Sequence, residues 1–423
     1  MFFRKFYVII KFIMELKNIR NIKNLKGKKV LLRVEFNVPL KKHGNHWVVA
    51  DDRRMIESLP TITFLLKQGC RVALLTWVGR PDGKIVEGLR TEPIAKHLSK
   101  LLKHPVQRAT NCIGPKVFHQ VQALKTGELL MLENVRFYPE EMKENKHFSK
   151  LLTHGFDLVV FDAFGTIHRV HSSTTGITKF LPTYAGFLMA KEVLALSKII
   201  QHPKKPLVVV LGGAKISDKI YVLKSLLKIA DTVLLGGGLV NVFLKAAGTP
   251  VGKSFMEDVF VDAARRKKVN LVAEAKWLLK HYSHKIALPL DMVAGSATTS
   301  QALIEVIDLN DGAQINKRWM FLDIGPKTIS AYTKTIKSAK TIFFNGPMGV
   351  FELEAFAVGT KKIATAIAQS KAVSVLGGGD TEIVADKYNL AKKFTHVSTG
   401  GGASMAFIAG QDTPVLKRLT VTK

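Results

Sequence analysis

Pro206–Lys219 reads PLVVVLGGAKISDK, and it decides the fold. Leu207–Leu211 is an unbroken run of branched apolar residues, the pattern of a short strand buried on both faces. Gly212–Gly213 follows at once, and a helical pattern comes next. Strand, glycine turn and helix in that order make the repeating unit of a parallel α/β sheet.

The same theme recurs on either side. Downstream, Thr232–Leu235, Ile286–Leu290, Thr341–Phe344 and Ala372–Leu376 read as strands. Glycines follow three of the runs, at Gly212–Gly213, Gly236–Gly238 and Gly377–Gly379, and Gly400–Gly402 precedes Ala403–Ile408. Ligands of open α/β sheets bind beyond the carboxyl ends of strands, where glycine turns and helix N-termini offer free N–H groups. A single cluster is often only a tight turn, but several in one half predict a shared phosphate and nucleotide crevice. Upstream, strands are expected at Val30–Val34, Arg71–Thr76, Glu128–Leu132 and Asp157–Phe161. Helices are expected between them at Arg53–Lys67, Glu92–Leu102 and Phe148–Thr153. Ala185–Gln201 has helical apolar spacing and suits a linking helix.

At 423 residues the chain exceeds the ~250–300 residues at which a single core stops growing, so two domains are expected. The fold class is α/β: two doubly wound parallel-sheet domains, Rossmann-like three-layer sandwiches facing a central cleft and joined by a helix. The expected divisions are 1–13 as an N-terminal extension, 14–184 as the first domain and 185–202 as the linking helix. A second domain over 203–395 and a returning C-terminal segment over 396–423 complete the chain. Cys70 and Cys112 stand alone, which gives neither a disulfide framework nor a metal cluster and suits a reducing compartment. Residues 1–14 (MFFRKFYVIIKFIM) are too short and too charged for a membrane helix, and no small-residue cleavage site follows.

The net charge of +30 is scattered rather than packed into one block, and no zinc-finger or aromatic–basic repeat accompanies it. That excludes a specific nucleic-acid reader and leaves a broad positive field for small polyanions. GTPVGKS at Gly248–Ser254 has three residues between its glycines where a phosphate-binding Walker loop has four. HRVH at His168–His171 lacks companions for zinc, and such a pair is more often structural. Arg33, Arg54, Arg80, Arg136 and Arg169 all sit beside strand ends or glycines. One such arginine is normally solvated surface. Several together suit a doubly anionic small molecule, because guanidinium forks match carboxylate and phosphate oxygens.

LLRVEFNVPL, VGRP, LLENVRF, DAFGTIHR, LGGAKISDK, FFNGPMGVFE, GGGDT and STGGGAS occur in this order from about Lys28 to Gly410. In these segments the chain resembles the phosphoglycerate kinases. The resemblance implies reversible phosphoryl transfer between ATP and the carboxylate of 3-phosphoglycerate in glycolysis, with 3-phosphoglycerate held by the first domain and nucleotide by the second. It implies a substrate set of Glu35, Asn37, Arg54, Trp77, Gly79, Arg80, Arg136 and Arg169. On the nucleotide side it implies Lys219, Gly238, Phe321, Asn345, Glu352, Gly378, Gly379, Asp380 and Thr381. Asp380 would coordinate Mg²⁺ and Thr381 would cap a helix near the phosphates. Catalysis would rest on Arg54, Lys215, Gly401 and Gly402. The implied partners are 3-phosphoglycerate, 1,3-bisphosphoglycerate, ATP and ADP, with no specific nucleic acid and no membrane span, in a cytoplasmic monomer whose domains close on a hinge.

Three positions depart from the family pattern. Glu35 stands where Asp is usual, Trp77 where a histidine is usual, and Phe321 where many relatives have a smaller residue, so Phe321 would stack on the adenine or crowd it. An indole N–H donates one hydrogen bond but carries no charge, which predicts a raised KM for 3-phosphoglycerate. The alternatives are a nucleotide-binding relative with impaired turnover and a polyanion-binding protein.

Overall fold

A computed structural model describes residues 15–217, 219–262, 267–310 and 315–421. The expected extension over 1–13 lies outside the described residues. The chain forms two compact units, one running to Leu194 and resumed from Asp412, the other Ala195–Gln411.

The strands of the first unit are β1 (Lys29–Arg33), β2 (Leu40–His43), β3 (His46–Val49), β4 (Arg71–Leu75), β5 (Gln107–Arg108), β6 (Leu129–Met131), β7 (Leu158–Phe161) and β8 (Thr183–Ala185). Six of them form one sheet in the order β5-β6-β4-β1-β7-β8, with every pair parallel. Successive side chains of a strand point to opposite faces. Val30 and Leu32 accordingly pack with Met55, Ile62 and Leu65 of the helix Arg53–Lys67. Leu31 packs on the other face with Val117, Val121, Phe148 and Leu152, from the helices Pro115–Ala123 and Lys146–Thr153. Both faces are apolar, which is why these strands read as unbroken hydrophobic runs. The hairpin β2–β3 was not anticipated. Its register pairs His43 with His46 across a two-residue turn at Gly44–Asn45, with Gly44 at φ +57°.

The second unit contains β9 (Leu207–Leu211), β10 (Thr232–Leu235), β11 (Val259–Asp262), β12 (Lys267–Asn270), β13 (Ile286–Ala287), β14 (Asp291–Gly295), β15 (Ile304–Asp308), β16 (Met320–Ile324), β17 (Thr341–Asn345), β18 (Val373–Leu376) and β19 (His396–Val397). Its main sheet runs β13-β10-β9-β17-β18-β19, again wholly parallel. The order steps outward from β9 to β13 and then restarts at β17 on the other side. That reversal places a crevice beyond the carboxyl ends of β9 and β17. Two antiparallel pieces complete the unit, the pair β11–β12 and a sheet β15-β14-β16.

The linking helix spans Phe187–Ile200, and the boundary between the units falls within it, after Leu194. Its first turn is tied to the first unit. The Phe187 N–H donates to Thr61 Oγ1 (2.9 Å) and the Met189 N–H to Asp162 Oδ1 (3.1 Å). The return to the first unit comes later than the expected residue 396. β19 pairs with β18, and the helix Gly402–Ile408 packs on the helix Ile220–Leu227, so the second unit keeps the chain to Gln411. Only then does the helix Pro414–Leu419 bury Val415, Leu416 and Leu419 in the first unit. Lys17 N–H donates to Leu419 O and Val421 N–H to Glu15 O, both at 2.8 Å. Among the described residues no helix is long and apolar enough to cross a membrane.

Candidate functional site

In the first unit the segments after β1, β4, β6 and β7 carry the predicted substrate residues except Arg54, which stands in the first turn of the helix Arg53–Lys67. Arg33 ends β1 and is fully buried. Its Nε donates to Ser173 Oγ (3.3 Å) and its Nη1 to the Val34 carbonyl. Burial lowers its pKa to about 10, with Glu141 and Glu35 pulling the other way. Glu141 is equally buried; its carboxylate accepts from Ser173 N (2.8 Å) and Ser173 Oγ (2.6 Å). Desolvation raises the Glu141 pKa, against the Ser173 hydroxyl and Arg33, which stabilise its charge.

The loops after β1 and β4 are laced together. Gly79 N–H donates to Asn37 Oδ1 (2.9 Å), while Arg54 Nη1 reaches the Asn37 carbonyl (3.1 Å) and Glu35 Oε1 (3.4 Å). The side-chain oxygen of Asn37 is thus used inside the protein, and this bond leaves its amide N–H groups, the donors that would meet an anion, unused. Burial raises the Glu35 pKa, opposed chiefly by Arg54 and then Arg33. Asn134 holds the loops after β4 and β6 by donating to Val78 O (2.8 Å) and Leu89 O (2.9 Å) and accepting from the N–H groups of Val78 and Arg136, both at 3.1 Å.

Arg136 Nη1 donates to Gly79 O (2.6 Å), and its buried Nε has no hydrogen-bond partner. Its pKa is lowered, first by burial and then by Arg169 and Arg80, with Glu141 opposing. Arg80 and Arg169 are themselves exposed. His168 and His171 are both depressed to about 4, each chiefly by burial and then by neighbouring guanidiniums. Both imidazoles are thus neutral at neutral pH, and the positive charge here is guanidinium charge.

Trp77 departs from its expected place as an N–H donor to substrate. It is only 5% exposed, and the guanidiniums of Arg33 and Arg136 lie over its ring, 4.3 and 4.1 Å from the centroid. Its ring packs in the apolar cluster and meets these arginines through its face, which attracts cations.

In the second unit a cavity of about 340 Å³ opens beyond β9, β17, β18 and β19. Lys219, Asn345, Gly378, Gly379, Asp380, Thr381, Gly401 and Gly402 line it, together with Gly346. Gly378 has φ +93°, and a Cβ there would stand 2.3 Å from Asn345 Nδ2, so both backbone and space demand glycine. Gly379 and Gly402 differ: a Cβ on either would meet no atom within 4 Å. Packing within the chain does not explain why they lack side chains. Thr381 was expected to cap a helix. Instead its buried hydroxyl accepts from Gly346 N–H (2.7 Å), and Gly378 precedes the helix Gly379–Lys387 without a side-chain cap.

Four predicted residues do not line this cavity. Lys215 is exposed in the loop after β9, and Glu352 is exposed after β17. Gly238 precedes the helix Leu239–Ala246, where a Cβ would stand 3.0 Å from Ala214 O. Phe321 is buried at 4% exposure in β16, opposite Ala294, so its ring is part of the packing and offers no stacking face. The GTPVGKS loop is packed internally as well, with Ser254 Oγ accepting from Phe321 N–H (2.8 Å). Among the described residues no three His, Cys, Asp or Glu side chains gather as metal ligands. Asp380 is a single exposed carboxylate at the cavity wall. One carboxylate with substrate phosphates is a donor set that fits Mg²⁺.

The phosphoglycerate kinase family model matches residues 19–411. A phosphoglycerate kinase of Pelotomaculum thermopropionicum is 44% identical over 396 residues, covering 93% of this chain and 96% of the relative. One from Borreliella afzelii is 40% identical over 406 residues, covering 96% of this chain and all of the relative. The solved phosphoglycerate kinase of Coxiella burnetii superposes with a TM-score of 0.83 at 35% identity, over 96% of this chain and 99% of that one. Two parallel-sheet units, site loops at their strand ends and similarity along nearly the whole length lead to one conclusion: the chain belongs to the phosphoglycerate kinase family, phosphotransferases of glycolysis that use ATP and ADP.

Proposed function

We propose that the arginine cluster of the first unit binds 3-phosphoglycerate and that the glycine-lined cavity of the second binds the nucleotide phosphates. The observation that carries this reading is the geometry of Arg136, whose Nη1 is tied to Gly79 O beside Arg80 while its buried Nε has no hydrogen-bond partner; burial first, and then the nearby Arg169 and Arg80, disfavour its charge. Holding them together is unfavourable until an anion joins them, which is the property of an anion site. Asn37 and Glu35 aim Arg54 at the same strand ends. On the nucleotide side, the open space at Gly379 and Gly402 supports close approach of phosphate oxygens to backbone N–H groups, and Lys219 adds a cation.

The acceptor is a carboxylate, already ionised at neutral pH, so no general base is needed. The neutral His168 and His171 agree with that. What the chain must supply is orientation and offset of charge on the phosphoryl oxygens. Arg54 and the amides of Gly401 and Gly402 are suited to it, and Lys215 would join them by moving in from its exposed position after β9. Asp380 would hold Mg²⁺, whose charge offsets that of the nucleotide phosphates. Because each substrate is assigned to a different unit, transfer requires closure on a hinge, and the helix Phe187–Ile200 that contains the unit boundary is its natural seat. A cytoplasmic setting fits the two buried, unpaired cysteines.

A coupled assay with ATP and 3-phosphoglycerate tests the assignment. Arg80→Ala is expected to raise KM for 3-phosphoglycerate by roughly tenfold or more and leave KM for ATP near normal. Gly402→Ala, which meets no protein atom, is expected to leave Tm unchanged or higher while impairing ATP use about tenfold. The opposite pattern, or no effect of either, would refute it.

A further inference from the structure

We infer that Trp77 is a positioning residue for the acidic substrate: its indole fixes the guanidinium of Arg136 so that the remaining N–H groups stand ready for an anion. The inference rests on the assignment of Arg136 to 3-phosphoglycerate. Trp77 is 5% exposed and so makes little direct contact with anything outside the protein. It belongs to the apolar cluster on one face of the sheet, and its ring also faces charge. The Arg136 guanidinium lies 4.1 Å from its ring centroid and that of Arg33 4.3 Å.

Arg136 needs such support. Among the described residues its side chain makes one hydrogen bond, Nη1 to Gly79 O, and its buried Nε has no partner. Arg80 and Arg169 repel it. Glu141, the acidic group that acts most strongly on Arg136, directs its hydrogen bonds to Ser173 rather than to Arg136. Arg33 is better satisfied, through Ser173 and the Val34 carbonyl, but its buried Nη2 also has no partner. A carboxylate in place of the indole would neutralise these cations and spoil the site for an anionic ligand. The quadrupole of an aromatic face stabilises them without removing their charge. Trp77 therefore keeps the arginines in place while leaving them able to bind an anion, a form of preorganisation.

The test uses the full chain with Trp77→Leu, Trp77→Phe, Arg136→Ala and the double variant Trp77→Leu/Arg136→Ala. Trp77→Leu is expected to raise KM for 3-phosphoglycerate roughly 5- to 30-fold, with KM for ATP moving by less than about twofold. Trp77→Phe, which keeps an aromatic face, should recover most of the loss. In the Arg136→Ala background the leucine should add less than about twofold, since the residue it acts through is gone. Equal damage from Phe and Leu, or a leucine effect that persists without Arg136, overturns the inference while the substrate assignment stands. An unchanged KM in Arg136→Ala overturns both. If Trp77→Leu fails to fold, tryptophan emission decides. Adding 3-phosphoglycerate should change it in the wild type and not in Trp77→Phe or Arg136→Ala, and an identical change in all three rejects the idea.

Discussion

Asp323 in β16 is 1% exposed, and its two carboxylate oxygens accept from Ile324 N–H (2.9 Å) and Gly359 N–H (2.7 Å). Burial outweighs both bonds and raises its pKa to about 7. A carboxyl whose folded pKa lies above its unfolded one binds its proton more tightly when folded, so its stabilisation is greatest at low pH. It is lost as pH rises from the unfolded value near 4 to about 7. Asp323→Asn should therefore flatten the pH profile. Between pH 5 and pH 8 the variant is expected to lose on the order of 2–3 kcal/mol less unfolding free energy than the wild type. Its absolute stability should fall, because the new amide sets a donor against the Gly359 N–H. Urea unfolding at the two pH values checks this, and parallel profiles would show that Asp323 is ionised throughout. The arginines at strand ends were legible one by one in the sequence. Glu141, Ser173 and Asn134 were not, because nothing local in EEMKEN or HSSTT distinguishes a buried carboxylate or hydroxyl from a surface one.

At the level of elements, a buried hydroxyl helps fasten the helix Gly379–Lys387 to the residue after β17, Thr381 Oγ1 accepting from Gly346 N–H at 2.7 Å. Thr381→Val keeps the volume and leaves that buried N–H without an acceptor. We expect a loss of about 1–3 kcal/mol. A raised KM for ATP should accompany it, since Gly346 and Gly378 line the same cavity. Thermal unfolding and the coupled assay measure the two effects, and an unchanged Tm would mean that the N–H finds another acceptor. Element identity was largely readable. Arg53–Lys67 and Glu92–Leu102 match their expected limits. The short edge strands β5, β8 and β19 were not anticipated, and the other parallel strands differ by a residue or a few at their ends. Apolar periodicity is a local property and reports burial directly. The sheet β15-β14-β16 escaped notice because β15 is half exposed and β14 slips register between Val293 and Ala294. The hairpin β2–β3 carried a usable signal in Gly44–Asn45 between its strands.

At the scale of the molecule, the first unit is discontinuous in sequence, since it takes back the chain from Asp412. Val415, Leu416 and Leu419 are at most 1% exposed there. At ~1.5–3 kcal/mol for each buried side chain, this short helix contributes about as much as the whole net stability of an ordinary domain. Deleting residues 412–423 should therefore abolish or sharply lower the calorimetric transition of the first unit, leaving that of the second in place. Two unaltered transitions would show that the returning helix is dispensable. The net charge of +30 also belongs to this scale, as a field that attracts anionic substrates and weakens with salt.

The sequence alone determined that strands and helices alternate twice, that glycines end the strands of the second half, and that arginines flank those of the first. These follow from steric preference and apolar spacing, which act between near neighbours along the chain. Only the tertiary structure decided that Trp77 lies under two guanidiniums, that Asn37 and Thr381 serve the protein's own N–H groups, and that the last helix belongs to the first unit. Burial and charge act through space, and the groups they couple here are separated by tens to hundreds of residues in the sequence.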